Sequence, residues 1–306
     1  MADFFSIVNG FDAWFLSLVQ ALASEPLTPL MLLLTFIGHP LFWIFIITIF
    51  YWGNREKDAF YLGILSLFSA IAISIAKPLF GRLRPDSKVF KQLIHDFYSN
   101  LSFPSGHATF AAAYWSYASH YLKKFQIIVF FAVVIGVAFS RVYLGVHFVT
   151  DVIAGIVLGL LIGKLVLYLK SEARSHHLKP TKAMESIAII AIIILGAAAL
   201  VFASNVPLAA MLLGFFGGFF LLKELGFKGE KVTGKLLLLK EGIGFAGLGI
   251  LIFAIPYFTG IQLPFGFGQQ GDTRGFLLYG LIGLWVSFIW PIGYQKLLKI
   301  LQTKSR

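Results

Sequence analysis

The sequence contains no cysteine, and charged side chains make up only 13% of its 306 residues. The lack of cysteine excludes disulfide bonds, thiolate zinc sites and a cysteine nucleophile, and it leaves the redox compartment open. Acidic residues are fewer than basic ones, 14 against 25, which gives a formal net charge of +11. In so apolar a chain, this balance indicates cytoplasmic loops beside anionic lipid headgroups, so we expect no nucleic-acid partner.

Hydrophobic residues are abundant instead, at 58% of the chain with a mean hydropathy of +0.84. A soluble domain of this size needs far more polar surface than that. A helix needs roughly 20 apolar residues to cross a bilayer. Several stretches of that length contain no Asp, Glu, Lys or Arg: 26–54, 186–222, 242–271 and 275–295. The sequence therefore predicts an integral membrane protein.

The apolar pattern predicts an all-α, polytopic transmembrane helical bundle of about nine spans, with eight to ten as the range. Residues 4–23 could add a span or lie in the interface as an amphipathic helix, because Asp12 interrupts the apolar run. The predicted spans are 30–53, 59–77, 105–122, 125–144, 147–169, 183–203, 207–222, 236–258 and 275–295.

The basic residues are unevenly divided between the two sides of these spans. Sixteen Lys and Arg residues fall in alternate loops on one side, and seven fall on the other. The positive-inside rule makes the first side cytoplasmic and places the C-terminus there. Six of the seven residues on the outer side lie in only two loops, which calls for a further explanation.

Three short polar segments at span ends share that outer side. They are Lys77 to Pro85, Pro104 to His107, and Ser140 to Asp151. A basic side chain within a bilayer costs about 2.5–3.5 kcal/mol on insertion scales, so a cationic cluster at a membrane edge suggests an anionic ligand. Arginine suits phosphate oxygens particularly well.

The first two segments supply groups that can hold an anion. Lys77 and Arg84 are seven residues apart, so a continuing helix would place them on one face and turn Arg82 elsewhere. Ser105 is a natural helix cap, and Gly106 lets an anion approach the N–H groups of the following helix.

The third segment adds a possible nucleophile. His147 and Asp151 are spaced i and i+4, on one face of a helix. A carboxylate there can fix the tautomer of the imidazole and leave the other ring nitrogen to attack. His107 is the remaining titratable group and could protonate a leaving oxygen. The spacing alone does not show which histidine attacks.

Together these residues resemble the type 2 phosphatidic acid phosphatase (PAP2) superfamily, which also includes vanadium haloperoxidases. The family pattern K-x6-RP is met by Lys77, Arg84 and Pro85. Its PSGH motif is met by residues 104–107, and its SR-x5-H-x3-D motif by Ser140, Arg141, His147 and Asp151. The resemblance covers roughly residues 30–169.

The resemblance implies a division of roles. His147 would form a phosphohistidine, Asp151 would orient it, and His107 would protonate the leaving group. No metal ion and no cofactor is expected, because the motifs contain a single carboxylate and Mg²⁺ prefers several oxygen ligands. The residues expected to hold the phosphate are Lys77, Arg84, Ser105, Gly106 and Arg141.

The predicted function is that of an integral membrane phosphatase acting on a lipid phosphate or diphosphate of the polyprenyl diphosphate, phosphatidate or phosphatidylglycerophosphate type. Open alternatives are a lipid phosphotransferase, a phosphatase for a soluble sugar phosphate, and a transporter or scaffold. The catalytic core would be residues 1–169, followed by a cytoplasmic linker, 170–182, and by transmembrane helices of unassigned role, 183–306. We expect the chain in the plasma membrane, with the active site on the extracytoplasmic side.

Overall fold

The computed structural model describes residues 2–94, 100–175, 206–254 and 273–304, together with 189–190, 192–194, 197 and 257. These residues are mainly helical and contain no β-strand, apart from one isolated antiparallel bridge between Leu83 and Leu101. The prediction of an all-α fold is confirmed.

The helices before residue 176 fall into a first group. Short breaks separate most of them, and the longest connection joins α4 to α5. Their bounds are α1 Ala2–Gln20, α2 Thr28–Gly38, α3 Pro40–Trp52, α4 Glu56–Phe80, α5 Gly106–Ser119, α6 Lys124–Tyr143 and α7 Val149–Ser175.

The later helices include two short π-helical turns. The bounds are α8 Val206–Glu224, α9 Lys235–Gly249 with the π-turn Ile250–Ala254, α10 Thr273–Leu284, the π-turn Trp285–Ile289, and α11 Trp290–Lys304.

Six helical stretches within the described residues are long and apolar enough to cross a membrane. The pair α2 and α3 makes a seventh if it counts as one span bent by 57° at His39. The predicted span 105–122 is a helix of 14 residues, Gly106–Ser119, and 183–203 lies largely outside the described residues. The chain is therefore an integral membrane protein, and the described part holds fewer full-length spans than the nine predicted.

The chain forms two compact units. The first comprises Met1–Trp43, Ile64–Leu178 and Phe202–Ser204, and the second comprises Ile44–Gly63, Lys179–Val201 and Asn205–Arg306. The domain division at 170–182 stays a prediction, since α7 continues to Ser175 and residues 176–188 lie outside the described part.

Helices α5 and α7 form the packed centre of the first unit. Helix α5 is buried along most of its length. A Cβ at Gly155 of α7 would lie 2.6 Å from the Ser105 carbonyl oxygen, and one at Gly163 would lie 2.6 Å from that of Ala113. These glycines therefore let the two backbones approach closely, as small residues do between membrane helices. The contact brings the first turns of α5 and α7 together.

The segment after α4 departs from the expectation that its helix continues through Arg84. The helix ends at Phe80, and Gly81 has a φ of 62°, in the left-handed region that favours glycine. The chain then runs extended, with the Arg84 N–H donating to Asn100 O at 3.1 Å and the Ser102 N–H donating to Arg82 O at 2.7 Å. In an extended segment, side chains two residues apart point to the same face, so Arg82 and Arg84 can lie on one side.

Helix α1 packs against other helices of the first unit through Leu16 and Val19 and exposes Ile7, Phe11 and Trp14. It is not among the helices long and apolar enough to span a membrane. Its exposed apolar face suits contact with lipid.

Candidate active site

His147 lies in the turn between α6 and α7 and is 1% exposed. Its Nδ1 atom is 3.4 Å from Asp151 Oδ2, and its Nε2 atom is 3.1 Å from Arg84 Nη1. The longer contact does not meet hydrogen-bond geometry, whereas the same Asp151 oxygen accepts from the Phe148 N–H at 2.8 Å. The carboxylate thus faces Nδ1, and Nε2 faces a guanidinium.

The contact with Arg84 assigns the tautomer of His147. A guanidinium carries donors only, so Nε2 must offer its lone pair to Arg84. In the neutral ring the proton then sits on Nδ1, opposite Asp151. This is the arrangement in which Nε2 can act as a nucleophile.

The electrostatic surroundings favour the neutral imidazole. Burial, followed by the positive charges of Arg84, Arg141 and Lys77, holds the pKa of His147 well below its usual value of 6.5. The unprotonated ring is therefore the favoured form at neutral pH. Lowering the pH through the depressed pKa would protonate the ring and remove the lone pair.

The three cations assigned to phosphate have defined neutral acceptors. Lys77 Nζ donates to the Leu101 carbonyl oxygen, and Arg84 Nη1 donates to that of Val146 at 2.8 Å. Arg141 is 1% exposed, and its Nη1 donates to Thr35 Oγ1 at 2.7 Å. These bonds orient the three basic side chains.

Ser105 occupies the N-cap position of α5, as predicted, but its hydroxyl makes no capping hydrogen bond. Its Oγ is buried and has no hydrogen-bond partner among the described residues. A buried hydroxyl without a hydrogen-bond partner costs free energy unless a ligand or a water molecule supplies that partner. Helix α5 begins at Gly106, where the first N–H groups of a helix lack intrahelical acceptors. Both features suit an anion at this helix end.

His107 is on the first turn of α5 and is 8% exposed. Its ring centroid lies 5.5 Å from that of His39, at the break between α2 and α3. The His39 Nδ1 atom accepts from the Leu41 N–H at 3.2 Å. The bent helix pair therefore supplies two neighbours of the site, Thr35 and His39, which the motifs do not contain.

The interpretation of Arg82 from sequence is wrong. Its guanidinium does not turn away from the site but donates from Nη1 to Asp151 Oδ1 at 2.9 Å and from Nη2 to Asp12 Oδ2 at 2.6 Å. Both carboxylates are 0% exposed. The expectation failed because it assumed a helix through residue 84. An acidic residue within an apolar helix, as Asp12 is, was the signal that could have found this pair.

The described part of the chain contains no group of three or more His, Asp or Glu residues placed to hold a metal ion. Nε2 of His147 contacts the Arg84 guanidinium, and Arg141 and Lys77 add positive charge nearby, which suits a phosphate oxyanion rather than a divalent cation.

The predicted site residues come together in the first unit. Arg84 and Asp151 contact His147, the Ser105 N–H donates to the Asp151 carbonyl oxygen at 3.0 Å, and α5 carries His107 beside them. Lys77 and Arg141 lie within electrostatic reach of His147. Fold and site thus define a helical membrane protein with a buried histidine–aspartate pair among basic side chains.

Residues 58–175 of the chain match the family model of the PAP2 superfamily, which confirms the resemblance found in the motifs. The chain is 41% identical over 102 residues to phosphatidylglycerophosphatase B of Bacillus subtilis, covering 30% of this chain and 48% of that protein. It is 33% identical over 144 residues to the lipid A 4'-phosphatase of Porphyromonas gingivalis, covering 44% of this chain and 61% of that protein. These matches span about half to three fifths of the relatives' own lengths.

Among solved structures, the chain is similar to a transmembrane PAP2-type phosphatidylglycerolphosphate phosphatase from Bacillus subtilis. The identity is 30% and the TM-score is 0.49, covering 54% of this chain and 87% of that one.

Proposed function

We propose that the chain is a membrane phosphatase that hydrolyses a lipid phosphate or diphosphate through a phosphohistidine on His147, without a metal ion. The observation that carries the proposal is the buried imidazole whose Nε2 lone pair faces Arg84 while Asp151 lies opposite Nδ1. The named relatives are phosphatases of phosphatidylglycerophosphate and lipid A, which supports a lipid substrate.

The first step forms a covalent intermediate. The Nε2 lone pair of His147 attacks phosphorus, the bond from phosphorus to the leaving oxygen breaks, and His107 gives that oxygen its proton. The imidazole becomes cationic as the N–P bond forms, and the Asp151 carboxylate stabilises the charge. Four groups bind the phosphoryl oxygens and stabilise their negative charge in the transition state: Lys77, Arg84, Arg141 and the Ser105 hydroxyl.

The second step returns the site to its starting state. His107, now unprotonated, takes a proton from water, and the resulting oxygen nucleophile attacks the phosphohistidine. The N–P bond breaks, inorganic phosphate forms, and the electron pair returns to Nε2. Water is thus the acceptor, which separates a hydrolase from a phosphotransferase.

The test is release of inorganic phosphate by purified protein in detergent micelles. The panel contains phosphatidylglycerophosphate, phosphatidate, a polyprenyl diphosphate and one soluble sugar phosphate, each assayed with and without EDTA. We expect at least one lipid to be hydrolysed, EDTA to have no effect, and vanadate to inhibit as a mimic of the pentacoordinate phosphoryl group. Loss of activity in EDTA that Mg²⁺ restores would overturn the metal-free mechanism, and transfer of phosphate to a lipid acceptor would make the chain a transferase.

The proposed site opens on the extracytoplasmic side of the plasma membrane, with the C-terminus in the cytoplasm. The excess of basic residues in the opposite loops supports this orientation. Since the chain lacks cysteine, single cysteines at Ser87 and Ser175 can be labelled with a membrane-impermeant thiol reagent. The cysteine at position 87 should react on intact cells, and the one at 175 only after permeabilisation; the opposite pattern reverses the orientation.

A further inference from the structure

Helix α1 brings a buried carboxylate, Asp12, to the side of Asp151 that faces away from His147. Asp12 Oδ2 accepts from Arg82 Nη2 at 2.6 Å and from Thr150 Oγ1 at 2.6 Å. Its Oδ1 accepts from the Thr150 N–H at 3.1 Å. Asp12 therefore binds both the arginine that contacts Asp151 and the residue that precedes Asp151 in the chain.

The guanidinium of Arg82 donates hydrogen bonds from Nη1 and Nη2, and aromatic rings lie against it. Nη1 donates to Asp151 Oδ1 at 2.9 Å and to Thr150 Oγ1 at 2.6 Å, and Nη2 also donates to Asn9 Oδ1 at 3.1 Å. The rings of Phe5 and Phe148 lie 4.6 Å and 4.2 Å from the guanidinium carbon. A cation held in this way has little freedom to reorient.

This arrangement fixes how Asp151 meets His147. Because Arg82 occupies Oδ1 and the Phe148 N–H occupies Oδ2, the carboxylate cannot rotate, and Oδ2 stays on the imidazole side. Breaking a buried charge pair leaves a charge uncompensated, so loss of Asp12 would free Arg82 to satisfy itself elsewhere.

The net charge of Arg82, Asp151 and Asp12 also links Asp12 to His147. Arg82 and Asp151 alone form a neutral pair, in which the cation offsets much of the field that the carboxylate exerts on His147. Asp12 supplies a second negative charge, so the three groups together carry one net negative charge beside the imidazole. That charge is of the sign needed to stabilise the imidazolium formed when Nε2 bonds to phosphorus.

We propose that Asp12 is a positioning residue, which acts through Arg82 and Asp151 to orient and polarise His147, and that α1 is thereby part of the catalytic unit. This rests on the proposed function. Asp12 lies outside residues 58–175, the part that the family model matches. The inference therefore assigns a role to a helix that the family motifs do not reach.

The test compares Asp12→Asn with wild type in steady-state kinetics on the preferred lipid. Residues that orient a directly acting ligand in metal sites typically cost 10–100-fold when lost, and we expect a fall in kcat of about that size. KM and the inhibition constant of vanadate should change less than about threefold, because Asp12 touches none of the proposed phosphate contacts. Asp58→Asn, which breaks an exposed Asp–Arg pair of the second unit, is the matched control and should leave kcat unchanged.

A double-mutant cycle separates positioning from stability. If Asp12 acts through Asp151, then Asp12→Asn should have almost no further effect in the Asp151→Asn background. A purely structural role predicts equal losses in both backgrounds, a rise in KM and a lower melting temperature. Should Asp12→Asn fail to fold, Asn9→Ala removes a weaker contact to Arg82 from an exposed position and should lower kcat in the same way but less.

A spectroscopic readout keeps this proposal distinct from the proposed function. The ¹⁵N signals of the His147 ring report its tautomer without any substrate. Asp12→Asn should reduce the Nδ1–H form relative to wild type, whereas Asp58→Asn should not. If the wild type is inactive but Asp12→Asn still changes the tautomer of His147, only the phosphatase proposal is contradicted. If the tautomer and kcat are both unchanged, the proposed role of Asp12 is overturned.

Discussion

The two units differ in the number of charged side chains that they bury. Among the described residues, the second unit buries a single charged side chain, Lys240, whereas the first buries a cluster of ionisable groups. That cluster comprises Asp12, Lys77, Arg82, His107, Arg141, His147 and Asp151. Placing charges in a low-dielectric interior is expensive, so their accumulation in one unit indicates where a function requires them.

The second unit contains aromatic ring contacts and hydrogen bonds from side chains to backbone carbonyls. Its π-turn at Trp285–Ile289 has carbonyl oxygens that accept from other parts of the unit: Trp52 Nε1 donates to Val286 O at 2.9 Å, and the Tyr51 hydroxyl donates to Ser287 O at 3.0 Å. Such contacts satisfy groups that a π-turn takes out of the regular helical pattern. They require no charge.

The buried cation found among the described residues of this unit has a backbone partner. Lys240 Nζ donates to the Trp52 carbonyl oxygen at 2.8 Å, beside a cavity of about 320 Å³ that Glu56 and Glu230 also line. In the first unit, by contrast, Arg82 contacts two carboxylates, and one of these faces a histidine. The comparison distinguishes a charge that binds a backbone carbonyl from charges arranged around a buried histidine.

The largest expected effect comes from the two histidines of the first unit. His147→Ala removes the proposed nucleophile and should abolish both turnover and any phosphoenzyme trapped by rapid acid quenching. His107→Ala removes the proposed proton donor and should lower the rate by about 10²–10⁴. On p-nitrophenyl phosphate, whose leaving group needs no proton, His107→Ala should retain most activity.

His120→Ala is the control, because His120 is exposed at the C-terminal end of α5 and should be dispensable. Equal losses for the His107 and His147 variants on the activated substrate would contradict the division of roles.

A smaller effect is expected from replacing the guanidinium of Arg84 or Arg141 by an amine. Lysine keeps the charge but cannot reproduce the planar fork or reach the same acceptors. Losing one transition-state donor costs about 2.7–4 kcal/mol, so Arg84→Lys and Arg141→Lys should each lower kcat by about 10²–10³. Steady-state kinetics checks this, with Arg55→Lys in the exposed pair with Asp58 as the matched control. Retention of full activity in both variants would remove these arginines from the phosphate site.

Sequence reasoning could predict the candidate site residues because the patterns that suggest them are local in the chain. The cap position of Ser105 was predicted correctly, and so was the pairing of His147 with Asp151, although His147 lies in the turn before α7 and not on the predicted helical face. The Asp12–Arg82 contact joins positions 70 residues apart and depends on Gly81 ending α4, which no helical periodicity reveals. Local spacing predicts a pair, whereas a contact across helices requires the fold.

The span count shows the same limit. The apolar runs predicted the membrane-spanning parts of α4, α6 and α7 within a few residues, because a run long enough to cross the bilayer is visible in the sequence. The run 105–122 forms a helix of only 14 residues. This helix is buried because it packs closely against α7, which its apolar run does not reveal. The turn between α2 and α3 was visible as Gly38–His39–Pro40, but its contact with His107 was not.

The smallest effect on catalysis should come from Lys240→Met in the second unit. The substitution keeps much of the volume and removes the charge, leaving the Trp52 carbonyl without this donor. An unsatisfied buried acceptor costs about 1–3 kcal/mol, which the relief of burying an ammonium partly offsets, so we expect a modest fall in thermal stability. Because every hydrogen bond described for the candidate site joins residues of the first unit, kcat and KM should stay within about twofold of wild type.

Lys57→Met, at an exposed position of α4, is the matched control for removing one positive charge, and it should change neither stability nor rate. The measurement pairs a thermal melt in detergent with steady-state kinetics on the same preparation. A Lys240→Met protein that melts like wild type but loses tenfold or more in kcat would show that the buried cation of the second unit serves the reaction. The contrast between a structural and a catalytic use of buried charge would then be wrong, since a charge bound to a backbone carbonyl would also act on catalysis.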